Sequence, residues 1–404
     1  MREPAGPISV VHPGMGARFE TPETGGAGVT PVRVLHVNSG NQYGGVETLL
    51  VTLARLRYLC LAMEPSFALC HEGRLSQELS ATGVSVSVLG EVRISRPWTV
   101  WRARRRLCDL LRRQPCDIVI CHMPWSLAVF GKAVRAAGKT LVFWAHGFHN
   151  GKHWLERIAQ LTVPDLAIVN SRSTSGGLRN LFPNVPAEVM YYPVALMDTP
   201  EAVHWRTEAR QNLSIDDGTV VIIQVSRLEE WKGHLLHLQA LSLLETNEPW
   251  VCLIAGGAQN PAEKKYLDRL EDAAKQLGIA DRVRFLGQRS DVPQLLAGAD
   301  IFCQPNQGPE PFGIVFIEAL WAGRPVVTTA MGGAAEIIDS SCGLLVEPGN
   351  AVQLAASLRC LIESRELRVR LGGAGSARAL QLCSPATQMN KLNELVRSAV
   401  ERLH

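Results

Sequence analysis

From Val32 onward, short runs of β-branched and apolar residues alternate with longer segments in which apolar positions recur every three or four residues. Continuous apolar runs of this length read as strands buried on both faces of a parallel sheet, and the intervening segments as the helices that cover it. In the first half, strands are predicted at 32–37, 66–69, 84–89, 117–121, 140–144, 166–169 and 188–191. A polar stretch with helix-like pieces occupies 193–218. The alternation then restarts with strands at 220–225, 250–255, 283–286, 301–304, 325–328 and 343–345, and 385–403 reads as a closing helix. Two rounds of alternation across a polar break predict two doubly wound α/β domains. The predicted division is 1–31 as a disordered leader, 32–195 and 196–384 as the two domains, and 385–404 as a C-terminal helix. Ligands bind beyond the carboxyl ends of the strands in such sheets, so two facing sheets would enclose a cleft.

Composition alters this little. A chain of 404 residues is long for one core. With 46% hydrophobic and 20% charged residues it has the balance of a soluble globular protein. No apolar run is long enough to span a bilayer. Residues 1–31 are rich in Gly, Pro and Thr and hold no apolar signal core, which predicts a disordered leader rather than a secretory signal. The ten cysteines are scattered without a Cys-x-x-Cys pair. Reduced thiols in a cytoplasmic protein fit that pattern better than disulfides or zinc.

Charge does change the picture. Between Glu91 and Arg113 lie eight arginines against two acids, so this stretch carries +6 and the remainder of the chain −3. Residues 98–114 read as a helix with Val100, Ala103, Leu107, Leu110 and Leu111 on one face. Arg102, Arg105, Arg106, Arg112 and Arg113 fall on the other, and Trp98 and Trp101 lie at the start. Two readings stand: a patch from Arg102 to Arg113 for an anionic membrane or a phosphate-bearing acceptor, and a solvated helix face. The first implies peripheral membrane contact. No nucleic acid is expected, because the rest of the chain is net negative and holds no binding motif.

The most informative segment runs from Gly308 to Val327. It follows an apolar strand, passes a Pro/Gly turn, and shows helical periodicity at Phe312, Val315, Phe316, Ala319 and Leu320. Glu310 is thereby placed just before a helix start and Glu318 about two turns into the helix. Free N–H groups at a helix start attract phosphate, and an adjacent acid can accept from sugar hydroxyls. An ordinary strand–turn–helix is the other reading. Arg227 and Lys232 leave the carboxyl end of the strand at 220–225, where a guanidinium fork and an ammonium suit a diphosphate. Gly256 and Gly257 follow the next strand end and would let a planar base lie against backbone. Gly44 and Gly45 sit between the first strand and its helix, where backbone can approach a ligand closely. They form neither a Gly-x-Gly-x-x-Gly nor a P-loop pattern. His122 and His146 end two first-domain strands, where side chains are expected to face the cleft. No Asp-x-Asp occurs to hold a divalent metal by carboxylates, so no metal and no cofactor is expected, and Arg227 and Lys232 would take the role of a divalent cation.

Together these residues resemble the retaining glycosyltransferases of group 1 (family 4). The resemblance is strongest in Ser226–Gly233 and in Glu310–Val327, with Gly332-Gly333…Glu336, Gly343–Val346 and Gly44-Gly45-Val46 in the same order. It implies the GT-B fold, an α/β architecture of two Rossmann-like parallel-sheet domains facing across a cleft. It implies transfer of a hexose from a UDP- or GDP-linked sugar to a sugar or lipid-linked acceptor hydroxyl, as in glycolipid or polysaccharide synthesis. By resemblance, Arg227 and Lys232 hold the donor diphosphate, Glu310 and the N–H groups of Phe312, Gly313 and Ile314 hold the donor sugar, and Glu318 binds the ribose. Gly45 lets the first-domain loop close, His122 lines the catalytic cleft, and His146 is a looser match. The two acids are not a nucleophile pair; the leaving phosphate takes the acceptor proton in a front-side reaction. A nucleotide-sugar 2-epimerase and a non-catalytic nucleotide-sugar-binding protein are the alternatives. Tyr192-Pro-Val-Ala195 departs from the family pattern before the hinge.

Overall fold

A computed structural model describes residues 30–41, 43–194 and 202–402. The predicted leader, apart from residues 30 and 31, lies outside the described residues, as does Ala195. The first sheet contains β1 (Val32–Asn38), β2 (Met63–Leu69), β3 (Val86–Val88), β4 (Ile118–His122), β5 (Thr140–Ala145), β6 (Leu166–Val169) and β7 (Ala187–Val189). Its spatial order is β3-β2-β1-β4-β5-β6-β7, and every pairing is parallel. The crossovers are α1 (Gly45–Arg55), α2 (Arg74–Ala81), α3 (Pro97–Arg113), α4 (Met123–Ala136), α5 (Trp154–Ala159) and α6 (Arg172–Leu181). The central strands are buried along their whole length, which is why they read as unbroken apolar runs. The edge strand β3 is shorter than the predicted 84–89, since it pairs on one side only.

The second sheet holds β8 (Val220–Val225), β9 (Trp250–Ala255), β10 (Val283–Gly287), β11 (Ile301–Gln304), β12 (Val326–Thr329) and β13 (Gly343–Val346). Its order, β10-β9-β8-β11-β12-β13, repeats that of the first sheet, and it too is wholly parallel. Helices α7 (Ala202–Asn212), α8 (His234–Ser242), α9 (Pro261–Gln276), α10 (Val292–Gly298), α11 (Ile314–Trp321), α12 (Ala334–Ile337), α13 (Ala351–Glu363) and α14 (Arg365–Cys383) accompany it. Strand order in each sheet reverses beside its first strand, and there the crevice for a ligand opens.

The final helix α15 (Pro385–Glu401) does not stay with the second sheet. It returns to the first domain, where Met389, Leu392 and Val396 share a core with Val34, Ile118 and Val142. Arg397 donates to the carbonyls of Thr30 and Ala62. Near the two crossing points the Val194 N–H donates to the Cys383 carbonyl at 3.3 Å. The facing edges also touch. Glu336 of α12 accepts from the Arg172 N–H (3.0 Å), the Ser173 N–H (2.7 Å) and the Tyr191 hydroxyl (2.9 Å).

Candidate functional site

At the carboxyl edge of the second sheet, Lys232 and Glu310 meet. Glu310 follows the end of β11, is nearly buried, and forms a single parallel bridge to Gly332. Its Oε2 accepts from Lys232 Nζ at 2.6 Å, from Asn306 Nδ2 at 3.2 Å and from Gln304 Nε2 at 3.3 Å. All three donors converge on one oxygen, so among the described residues Oε1 remains without a partner. Lys232 also lies 3.9 Å from the centroid of the Trp231 ring. Its backbone carbonyl is held by Gln224, which in turn pairs with His237. Arg227 is not part of this cluster; it is exposed and pairs with Glu229 at 3.0 Å.

The loop that leads into α11 depends on Gly313. Its φ of +98° is left-handed, and a side chain there would run into the Phe316 ring. That turn sets the start of α11 at Ile314. Glu318 is therefore about one turn into the helix, not two as the periodicity implied, because Phe312 belongs to the loop. The N–H groups of Phe312, Gly313 and Ile314 make no hydrogen bond among the described residues. The Glu318 carboxyl has no hydrogen-bonding partner among them either, and burial without a donor pushes it up to about 7. Gly256 has a packing reason to be glycine: a Cβ there would overlap the Ser226 carbonyl. The contact expected with a base is thus preceded by one between two strand ends.

On the first domain, Gly44 precedes α1 and its N–H donates to Glu47 at 3.0 Å. A Cβ on Gly45 would lie 3.7 Å from Ile314, so this loop approaches the start of α11 across the cleft. The histidines are placed differently from the expectation. His122 is fully buried and His146 nearly so, and neither ring stands open at the cleft. Each strand places its histidine two residues beyond its neighbour's, with the same facing, so the rings form a diagonal row on one side of the sheet. His36 Nδ1 meets His122 Nε2 at 2.9 Å, His122 Nδ1 meets His146 Nε2 at 2.8 Å, and His146 Nδ1 meets the Tyr192 hydroxyl. Asn170 donates to the same hydroxyl oxygen at 3.2 Å, which leaves the Tyr192 O–H to donate to His146. That polarity runs on through the row and ends at His36 Nε2, which is buried without a partner. Burial keeps all three rings neutral, with His36 and His146 lowered to about 3. The row reaches the loop before α11 through Tyr192, whose ring centroid lies 4.8 Å from that of Phe312.

Several of these groups escaped the sequence reading. Gln304, Asn306 and Gln224 are polar residues at the ends of apolar strands, a visible but unweighted signal. The partnership of His36 with His122 joins positions 86 apart, and no local pattern announces it. Among the described residues no cluster of three or more His, Cys, Asp or Glu is arranged to hold a metal ion. No helix among them is long and apolar enough to cross a membrane.

With this geometry in hand, the comparisons are specific. The profile of Glycosyl transferases group 1 matches residues 206–378, and that of Glycosyltransferase Family 4 matches 43–196. A D-inositol 3-phosphate glycosyltransferase of Corynebacterium aurimucosum is 30% identical over 296 residues, covering 70% of this chain and 67% of that protein. Three other corynebacterial proteins of that name are matched over 45–62% of their length. The lipopolysaccharide core biosynthesis glycosyltransferase LpsD of Rhizobium meliloti is 26% identical over 350 residues, covering 85% and 92%. Among solved structures, Anabaena HepE in complex with UDP and glucose has a TM-score of 0.78 at 25% identity, covering 91% of this chain and 100% of that one. The two facing parallel-sheet domains are a GT-B fold. The chain belongs to the group 1 glycosyltransferases of family 4.

Proposed function

We propose that this chain moves a hexose from a UDP- or GDP-linked sugar to an acceptor hydroxyl, with retention and without a bound metal, in the synthesis of a glycolipid, polysaccharide or related glycoconjugate. The observation that carries the reading is the largely buried Lys232–Glu310 pair, with Glu310 Oε1 left open beside the unpaired N–H groups of the α11 start. The free oxygen accepts from donor-sugar hydroxyls. The N–H groups and the Lys232 ammonium take the charge that grows on the departing diphosphate, a preorganised electrostatic role. Arg227 leaves Glu229 to reach the same diphosphate. Glu318 accepts from the ribose. With no protein nucleophile assigned, the leaving phosphate oxygen takes the acceptor's proton on the same face of the sugar. The UDP and glucose held by HepE, and the glycoconjugate-directed relatives, support the donor and acceptor classes.

The test is transfer by Glu310→Gln and Lys232→Ala, each expected to fall by roughly 100-fold or more with an unchanged thermal melt. Wild-type turnover in both variants would remove the site assignment. Retention is read from the anomeric configuration of the product, and metal independence from activity in EDTA. A panel of UDP-, GDP- and ADP-sugars, scored by protection against heat, identifies the donor base.

A further inference from the structure

Away from the donor edge, the first domain carries a surface that the transfer reaction does not explain. Helices α3, α4 and α5 pack on one face of the sheet, burying Ala103 and Leu107, Leu127 and Phe130, and Ala159 in a common core. Each is the crossover between parallel strands, so each begins at the carboxyl edge, beside the cleft. The side chains exposed at these starts are large and aromatic. Trp98 and Trp101 are 60% and 62% exposed, and Trp154 is 51% exposed. On the α5 side Ile158 lies one turn beyond Trp154, and Leu161 and Val163 are exposed in the turn that follows the helix.

Cations are interleaved with these rings. On α3, one turn separates Trp98 from Arg102 and Trp101 from Arg105, whose guanidinium lies 5.5 Å from the Trp101 ring centroid. From Glu91 to Asp165 the chain has thirteen Lys and Arg against five acids. All five acids are already engaged: Glu91 by Arg93, Asp109 by Arg112, Asp117 by Arg33, Glu156 by His149 and Asp165 by Arg135. Arg104 and Arg106 serve the fold by donating to the carbonyls of Val129 and Leu89. Arg96, Arg102, Arg105 and Arg113, with Lys152 and Arg157 on the α5 side, have no carboxylate in ion-pair reach among the described residues.

A solvated helix face accounts for the arginines and not for three exposed tryptophans. Nucleic acid would take the arginines and leave Ile158, Leu161 and Val163 in water. A bilayer with anionic headgroups satisfies both: tryptophans at the interface, aliphatic side chains at the acyl boundary, guanidinium groups at phosphate. We propose that this face docks on an anionic lipid surface, with the starts of α3 and α5 in the headgroup layer and the mouth of the cleft at the membrane plane. The docking stands independently of the transfer reaction. Only its corollary, that an acceptor anchored in the same membrane enters the cleft directly, rests on that reading.

The experiment is co-sedimentation of the full chain with vesicles of phosphatidylcholine alone and of phosphatidylcholine mixed with phosphatidylglycerol. Binding is expected to the mixed vesicles only, weakening with salt and accompanied by a blue shift of tryptophan emission. Joint Arg102→Glu and Arg105→Glu reversal is expected to weaken partition by roughly 25-fold or more. Trp154→Ser should weaken it as well, which docking through α3 alone would not require. The salt titration of the unaltered chain tests the charge dependence without any variant. Equal partition to both vesicle types, no partition at all, or undiminished binding by the reversed variant overturns the proposal. Self-association without lipid that the Trp98→Ser/Trp101→Ser pair abolishes would assign the face to a second copy and overturn it too.

Discussion

At the scale of single residues, Glu318 is the group whose chemistry depends most on what arrives. An unfolded glutamate ionises near 4.5 and this one near 7, so the unfolded chain sheds its proton first as pH rises. Glu318 therefore costs the fold stability, by an amount that grows from about pH 4.5 to 7 and stays in full above it. On the proposed ribose role, hydroxyls would donate to the ionised form, so donor binding should strengthen over the range in which that form appears. With a pKa of about 7, the affinity for UDP-glucose is expected to rise about tenfold between pH 6 and 8. Calorimetric titration measures this; Glu318→Gln should flatten the profile, and an equally steep profile in that variant would sink the ribose assignment. Gly313→Ala makes a backbone prediction. Forcing a Cβ into a left-handed turn against Phe316 should cost about 1–3 kcal/mol in unfolding free energy, read from denaturant midpoints. The meeting of Glu310 with Lys232 was legible in part because each stands beside a strand end or helix start that the sequence pattern locates, whereas Arg227, read from the same strand end, lies outside their cluster. The open Oε1 of Glu310 was not, because it depends on Gln304 and Asn306 both turning toward the other oxygen.

At the scale of elements, the strands were the most legible features, since burial on both faces writes each as an apolar run that no neighbouring element interrupts. Boundaries slipped where a turn overrode periodicity, as at Gly313, or where a strand had one neighbour, as at β3. Contacts between elements left no trace in the local pattern. Glu336 illustrates this: it belongs to α12, yet its carboxylate takes the first N–H groups of α6 in the other domain. A carboxylate at a helix start gains from both hydrogen bonds and the helix dipole. Glu336→Ala should loosen the closed arrangement by about 1–2 kcal/mol. Small-angle scattering of the ligand-free protein should then report a larger radius of gyration, and an unchanged radius would show that α6 needs no such clasp.

At the scale of the whole molecule, the buried histidines tie stability to pH. His36, His146 and His237 are lowered to about 3, His234 to about 4, and His122 well below the ordinary imidazole range, all chiefly by burial. In the unfolded chain each takes a proton near 6.5, while in the folded protein it does not until far lower pH. Stability present above pH 6.5 is therefore lost as pH falls below it, and each ring adds a slope of about 1.4 kcal/mol per pH unit. Glu318 acts in the opposite sense and is one group against five. Scanning calorimetry should show the melting temperature falling steeply from pH 6.5 toward 4.5; a flat profile would mean the rings are hydrated.

The return of α15 to the first domain has a mechanical consequence. The polypeptide passes between domains twice, once after Val194 and once at Ser384, and the Val194–Cys383 hydrogen bond ties the two crossings near each other. One connection would act as a tether that permits swivel and twist; two adjacent connections act as a pin hinge with a single soft rotation. Domain opening in this molecule is then a swing about that pin, so that each closure brings Gly45 back over Ile314 in the same registry rather than in one of many.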